Sequence, residues 1–151
     1  MIGLVPLLLI GLGSATPEVT RICMTDVCSC LELPEARVAL ASAEAVFLGT
    51  VTGIDEIVSA RAGEALPGRE VTLRIHAAWK GVDEASASVV VRTGHGAGDC
   101  GFDFERGTAY LVYAHDSGEG LSTSICTRTI AARSAQSDFE VLGHPPFVRL
   151  R

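Results

Sequence analysis

The chain carries one lysine, Lys80, among twelve basic residues, against eighteen acidic residues and a formal net charge of −6. A surface so poor in cations lacks the electrostatic footprint that a phosphate backbone or an anionic membrane surface requires, so nucleic acid is excluded as the main partner. Long apolar runs are missing as well. The run from Ile2 to Leu12 falls well short of the ~20 residues that cross a bilayer as a helix, and no later stretch comes closer, so no membrane span is expected.

Several chemistries are absent together with their motifs. Neither Cys-x-x-Cys nor His-x-x-x-His occurs, and His76, His95, His115 and His144 are scattered, as surface or strand-face histidines are. No intrinsic metal and no cofactor is expected. There is no Gly-x-Ser-x-Gly elbow to present a serine. His115-Asp116-Ser117 holds the residue types of a hydrolase triad, but sequence neighbours do not usually reach that geometry, and Asp116-Ser117-Gly118 reads as a turn. The stretch Gly94 to Asp99 lacks the lysine and hydroxyl of a P-loop and reads as a flexible surface loop leading to Cys100. The carboxylate pairs Asp55/Glu56 and Asp103/Glu105 fall on strand ends and turns, with no apolar pocket to raise one pKa as a glycosidase pair requires. No catalytic set emerges, and the chain is read as a non-enzyme.

What is present begins with a leader. The apolar run ends in Gly13-Ser14-Ala15, small residues that suit cleavage after Ala15, so residues 1–15 are read as an export signal peptide although no basic residue stands near the start. The alternative for this run is a buried strand or helix. The reading places the protein outside the cytoplasm, secreted, extracellular or periplasmic. Thr16 to Val27 has no periodicity and reads as an extended arm, and residues 28–151 as one domain, since a chain of 151 residues supports a single core of ordinary size.

Five cysteines, at 23, 28, 30, 100 and 126, together with an export signal, point to disulfides. The odd number leaves one over, and Cys23 is expected to be the unpaired one. Cys28 and Cys30 stand one residue apart, so in an extended segment both side chains point to the same side. A bridge between them would close a very small ring at unfavourable geometry, so each is expected to reach far along the chain, where Cys100 and Cys126 stand. Which pairs with which, and whether Cys23 competes, the residues leave open.

The segment from Pro34 to Ala43 reads as a short helix, with proline near its start and helix formers after it. Ala45 to Thr52 is apolar on both faces, a strand buried on two sides, with Gly49 marking a bulge or bend. Ser59 to Glu70, with Gly63, Pro67 and Gly68, reads as a polar connection. Val71, Leu73, Ile75, Ala77 and Trp79 alternate with Thr72, Arg74, His76 and Ala78, which sets one face of a long strand toward the core. Further strands are expected at Ser88–Thr93, Thr108–Ala114 and Leu121–Cys126, and a closing helix at Asp138–Leu142 that Pro145-Pro146 stops. The sum is an all-β chain with minor α content, a small antiparallel barrel or sandwich.

Cys28-Ser29-Cys30, Ala45 to Val51, Trp79-Lys80-Gly81, Cys100-Gly101-Phe102, Tyr110 to Ala114 and Leu121 to Cys126 resemble, in that order, the N-terminal domain of the tissue inhibitors of metalloproteinases (TIMPs) and the wider netrin-like modules, over residues 28–142. The resemblance implies a five-stranded OB-fold barrel with short flanking helices, stapled by bridges Cys28–Cys100 and Cys30–Cys126. A third bridge of that family starts from a cysteine between Cys30 and the first helix, where this chain has none. The resemblance also implies a secreted inhibitor of a zinc metalloendopeptidase, acting through a wedge of Cys28, Ser29 and Cys30. There the amine and carbonyl oxygen of Cys28 chelate the protease zinc, and Ser29 enters the specificity pocket. Chelation requires Cys28 to be the first residue, because an acylated nitrogen is a far poorer ligand than a free amine. Cleavage after Ala15 leaves Thr16 to Val27 in front of it, so inhibition needs a second cleavage or an arm that swings aside. The alternative on the same fold is an extracellular netrin-like interaction module that meets a protein partner without inhibiting a protease. A monomer is expected in either case.

Overall fold

The computed structural model describes residues 28–61 and 64–149. The signal peptide expected at 1–15, the arm at 16–27 and Cys23 lie outside the described residues. The strands are β1 (Ala45–Arg61), β2 (Glu64–Lys80), β3 (Ser88–Thr93), β4 (Ala109–Asp116), β5 (Leu121–Ser122), β6 (Ile130–Ala131) and β7 (Phe147–Val148), with two short helices, α1 (Ala36–Ser42) and α2 (Gln136–Leu142). The protein is mostly β, as its sequence indicates.

Five of the strands pair in a closed ring, β1-β2-β3-β5-β4 and back to β1. All contacts in the ring are antiparallel except β3–β5, which is parallel at Arg92 and Ser122. The ring buries one face of β1 and β4 and the helices cover the other over Ala45–Val51 and Tyr110–Ala114, which is why these stretches are apolar without alternation. Ala45, Phe47 and Val51 of β1 and Tyr110, Val112 and Ala114 of β4 join Val71, Leu73, Ile75, Val91 and Phe104 in one cluster. Val46 of β1 and Leu111 and Tyr113 of β4 point the other way, into a second cluster with Ala39 of α1, with Ala43 just after that helix and with Ala135. Each fully buried Leu, Ile, Val or Phe side chain contributes ~1.5–3 kcal/mol through removal from water.

The helices cover that second cluster. Ala36 and Ala39 of α1 lie three residues apart and are buried, so its small apolar stripe faces inward. The lone lysine closes this helix: Lys80 Nζ donates to the carbonyls of Leu40 and Ala41 at 3.3 and 3.0 Å, a cation on the unpaired carbonyls of a C-terminus. α2 ends at Gly143, whose positive φ of +68° is one that glycine adopts without the clash a Cβ would bring.

Three stretches depart from their sequence reading. Ser59 to Glu70 is a strand hairpin and not a connection: β1 continues to Arg61 and β2 starts at Glu64, in register from Asp55↔Glu70 to Arg61↔Glu64. Backbone pairing runs the length of this ribbon, and Glu56 and Arg69 join across it as an ion pair at 3.3 Å. Pro67 is tolerated because β3 pairs with β2 only as far as Arg69, so a missing N–H there leaves no ladder bond unmade. The opposite edge is closed by Arg106, whose Nη1 and Nη2 donate to the carbonyls of Thr52 and Ile54 at 3.1 and 2.8 Å. Leu121 to Cys126 is a strand only at Leu121–Ser122. Beyond it the Ser124 and Thr127 side chains bond to nearby backbone, Ser124 Oγ accepting from the Cys126 amide and Thr127 Oγ1 donating to the Ser124 carbonyl, which offers the chain a turn in place of a ladder.

The third departure concerns Trp79. Register shifts beside Val46 and Gly49 place Ala78, not Trp79, in the cluster with Leu73 and Ile75. Trp79 turns to the other face, where it stacks on Phe139 of α2 at 5.9 Å and donates its indole N–H to the Gly143 carbonyl at 2.9 Å. Gly49 is where the sequence marks a bulge, and a Cβ there would press on Arg74 O and Leu73 Cβ at 3.1 Å. Trp79→Phe keeps the stack and loses the hydrogen bond, so its expected effect is a loss of about 1 kcal/mol in urea unfolding. A loss several times larger would show that the indole carries core packing.

Candidate protein-binding site at the disulfide-anchored segment

Both bridges run as the resemblance implies. Cys28 joins Cys100 and Cys30 joins Cys126, with Cα–Cα separations of 5.1 and 5.4 Å, closing 72 and 96 residues of chain. Two different loops supply the partners. Cys100 ends the glycine-rich loop after β3, and Cys126 lies in the turn after β5; the Ile125 amide donates to the Cys100 carbonyl at 3.0 Å and holds these loops side by side.

The glycine-rich loop is built around Asp99. Its Oδ2 accepts from the His95 amide at 2.7 Å and its Oδ1 from those of Gly96 and Gly101, each at 2.9 Å. Burial pushes the Asp99 carboxyl up, but the three backbone N–H groups and the neighbouring His95 outweigh it and hold it below its ordinary value. A side chain at Gly94 would collide with the Asp99 carboxylate, and one at Gly101 with the Gly94 backbone. Close packing therefore explains Gly94 and Gly101, while Gly96 adopts a φ of +94° that favours glycine. Cys100 itself is left-handed, φ +59°, a conformation few non-glycine residues take.

Between the anchors the segment is open. Cys28 and Cys30 are half-buried and Ser29 is exposed. Leu31 is fully exposed and Leu33 is 48 % exposed, so folding leaves two leucines just past Cys30 unburied. The chain bends at Leu31, and Glu32 is exposed with the two leucines. At the far end Arg128 Nη1 donates to the Pro34 carbonyl at 2.7 Å. Arg128 is fixed in turn by the buried carboxylate of Asp138, which it meets with two nitrogens at 2.8 and 2.7 Å. Tyr113 Oη donates to the same carboxylate at 2.9 Å. Burial and the bond to Asp138 raise the Tyr113 hydroxyl above its ordinary range, so it stays protonated.

The sequence pointed to Cys28, Ser29, Cys30, Cys100 and Cys126 as site residues, and all five meet at this corner. Leu31 and Leu33 carry no such mark, because an apolar residue that folding leaves exposed looks in sequence like one that it buries. The sulfurs of Cys28, Cys100 and Cys126 lie within 4.8 Å of one another, the one group of three or more potential metal ligands among the described residues. As disulfides they present no thiolate, and in this state they do not form a zinc site.

Elsewhere the candidate catalytic residues are tied into ordinary surface pairs. Glu56 meets His95 Nε2 at 2.9 Å and Arg69 Nε at 3.3 Å, and Asp103 meets Arg69 Nη1 at 3.2 Å. Asp116 accepts from the Gly118 amide at 2.8 Å, the turn expected there. An open cleft of about 560 Å³ between the hairpin and the Ser117–Glu119 turn is lined by Ile57, Leu66 and Arg92. Its arginine is already paired with Glu70 and Glu119, at 2.9 and 3.1 Å. No helix among the described residues is long and apolar enough to cross a membrane. No protein-family model matches the chain, and no match is found among curated proteins.

Proposed function

We propose that this chain is a secreted, non-enzymatic, protein-binding domain of the TIMP and netrin-like kind, on a five-stranded OB barrel, and that Cys28 to Leu33 is the segment it presents to its partner. The observation that carries this reading is an exposed Ser29 held between two anchored cysteines and followed by exposed Leu31 and Leu33. A segment fixed at both cysteines and at Pro34 has already lost most of its conformational entropy, so a partner gains affinity without ordering it. The closed ring β1-β2-β3-β5-β4, with helices outside it, supports the barrel. The two bridges support the likeness at the positions where the wedge chemistry is carried.

The partner class that suits this segment best is a zinc metalloendopeptidase, whose active-site cleft takes an extended chain. Ser29 is the side chain placed to enter the pocket beside the metal. A free amine on Cys28 decides whether the segment chelates or only docks. The test is a panel of zinc endopeptidases assayed with two forms of the protein, one starting at Thr16 and one at Cys28. Inhibition by the form starting at Cys28, and at least a hundredfold weaker inhibition by the other, is the expected result. Equal inhibition by both removes the chelation step, and inhibition by neither leaves the netrin-like interaction module as the reading.

A further inference from the structure

Cys28, Cys100 and Cys126 belong to two different bridges, yet their sulfurs lie within 4.8 Å of one another. Thiol–disulfide exchange requires a thiolate with access to a disulfide sulfur, and here the body cysteine of each bridge sits beside the other bridge. The hydrogen bond from the Ile125 amide to the Cys100 carbonyl joins the loops of Cys100 and Cys126 without passing through the N-terminal segment.

We infer that the four cysteines form one redox-active exchange site whose substrate is an external dithiol, and that a single two-electron reduction moves the surviving disulfide to Cys100–Cys126. One thiolate of the dithiol attacks Cys28 Sγ, the Cys28–Cys100 bond breaks, and Cys100 leaves as a thiolate. The second thiol of the reagent closes on the first; it departs as a cyclic disulfide and Cys28 is left as a thiol. Cys100 thiolate then attacks Cys126 Sγ, the Cys30–Cys126 bond breaks, and Cys30 leaves as a thiolate and takes up a proton. The second step transfers no electrons. Reduction that starts at Cys30–Cys126 reaches the same product, because Cys126 thiolate then attacks Cys100 and displaces Cys28. The product has one bridge within the body of the domain and a segment 28–30 released from both anchors. Its direction follows from chain freedom, since the new bridge joins loops that already touch while the displaced thiols lie on a segment that gains mobility.

The chemistry stands apart from any protease and is tested without one. Oxidised full-length protein carrying Cys23→Ser, with the wild-type chain beside it, is treated with one equivalent of dithiothreitol, quenched in acid and labelled with N-ethylmaleimide. Cleavage after Arg37, Arg92, Arg106 and Arg128 separates Cys28 and Cys30 from Cys100 and from Cys126. In the species with two labels, both are expected on the peptide of Cys28 and Cys30, with the Cys100 and Cys126 peptides joined, at roughly tenfold or more over either native linkage. Labels on Cys28 and Cys100, or on Cys30 and Cys126, overturn the proposal, as does full reduction with no two-label species. Exchange seen only when Cys23 is present assigns the attack to that thiol and overturns the direct step.

Discussion

Asp138→Ala is expected to lower the free energy of unfolding by about 3–5 kcal/mol, because it leaves a guanidinium and a phenol around a carboxylate that is gone. Asp138 is 2 % exposed, yet it accepts from Arg128 Nε, Arg128 Nη2 and Tyr113 Oη. Arg128 adopts φ +73°, which the two-nitrogen grip on Asp138 sustains. Asp138→Asn keeps the shape and one acceptor, and its expected loss is smaller, about 1.5–3 kcal/mol. The pH dependence gives an independent reading. Burial pushes the Asp138 carboxyl up, but the hydrogen bonds from Arg128 and Tyr113 and the charge of Arg128 outweigh it and hold it below its ordinary value. A depressed folded-state pKa means stability that is complete above the unfolded value of ~3.9 and is lost as pH falls through the folded one. Urea midpoints of the native chain should therefore drop below about pH 4, more steeply than those of Asp138→Asn. Equal slopes for the two chains would show that Asp138 is not ionised in the fold.

Removal of the bridges has the largest expected effect. In the chain-entropy model loops of 72 and 96 residues are worth about 4.4 and 4.7 kcal/mol, so Cys28→Ser with Cys100→Ser and Cys30→Ser with Cys126→Ser should differ by only about 0.3 kcal/mol. Once one bridge is in place the other closes an effective loop of roughly 28 residues and adds about 3.6 kcal/mol, so removing both costs about 8. A domain of this size has about 5–15 kcal/mol in all, and the chain with four serines is expected to show no cooperative transition at 37 °C. A sharp thermal transition in that chain would show that the ring holds without its staples.

Much of the architecture is legible in the residues, for reasons that also mark where legibility stops. Val71 to Ala77 alternates because one face of β2 is core, and Ala45 to Val51 does not alternate because β1 is buried twice. The change of face at Ala78 was not legible, since a register shift is fixed by how β1 and β2 meet and not by β2 itself. Residues 59–70 read as a connection because Gly63, Pro67 and Gly68 are common turn residues, and the stretch of β2 before Arg69 has β1 as its one neighbour. Cys28-Ser29-Cys30 announced two distant anchors through spacing alone. Arg128 with Asp138, and Asp99 with the amides around it, carry no such signal, because a charged residue that folding will bury looks like one that it will leave in water.

The β1–β2 ribbon extends past its neighbours, with Arg106 on one edge and Pro67 on the other. Uncovered ribbon edges recruit other chains by adding a strand, and a polymer grows from the first such addition. With one edge's carbonyls at Thr52 and Ile54 already occupied and a ring nitrogen in place of an amide on the other, this ribbon offers a poor template for extension. A partner that meets Thr52 to Ile54 or Pro67 therefore finds side chains rather than free backbone groups, which makes contact at those points a matter of sequence and open to change residue by residue.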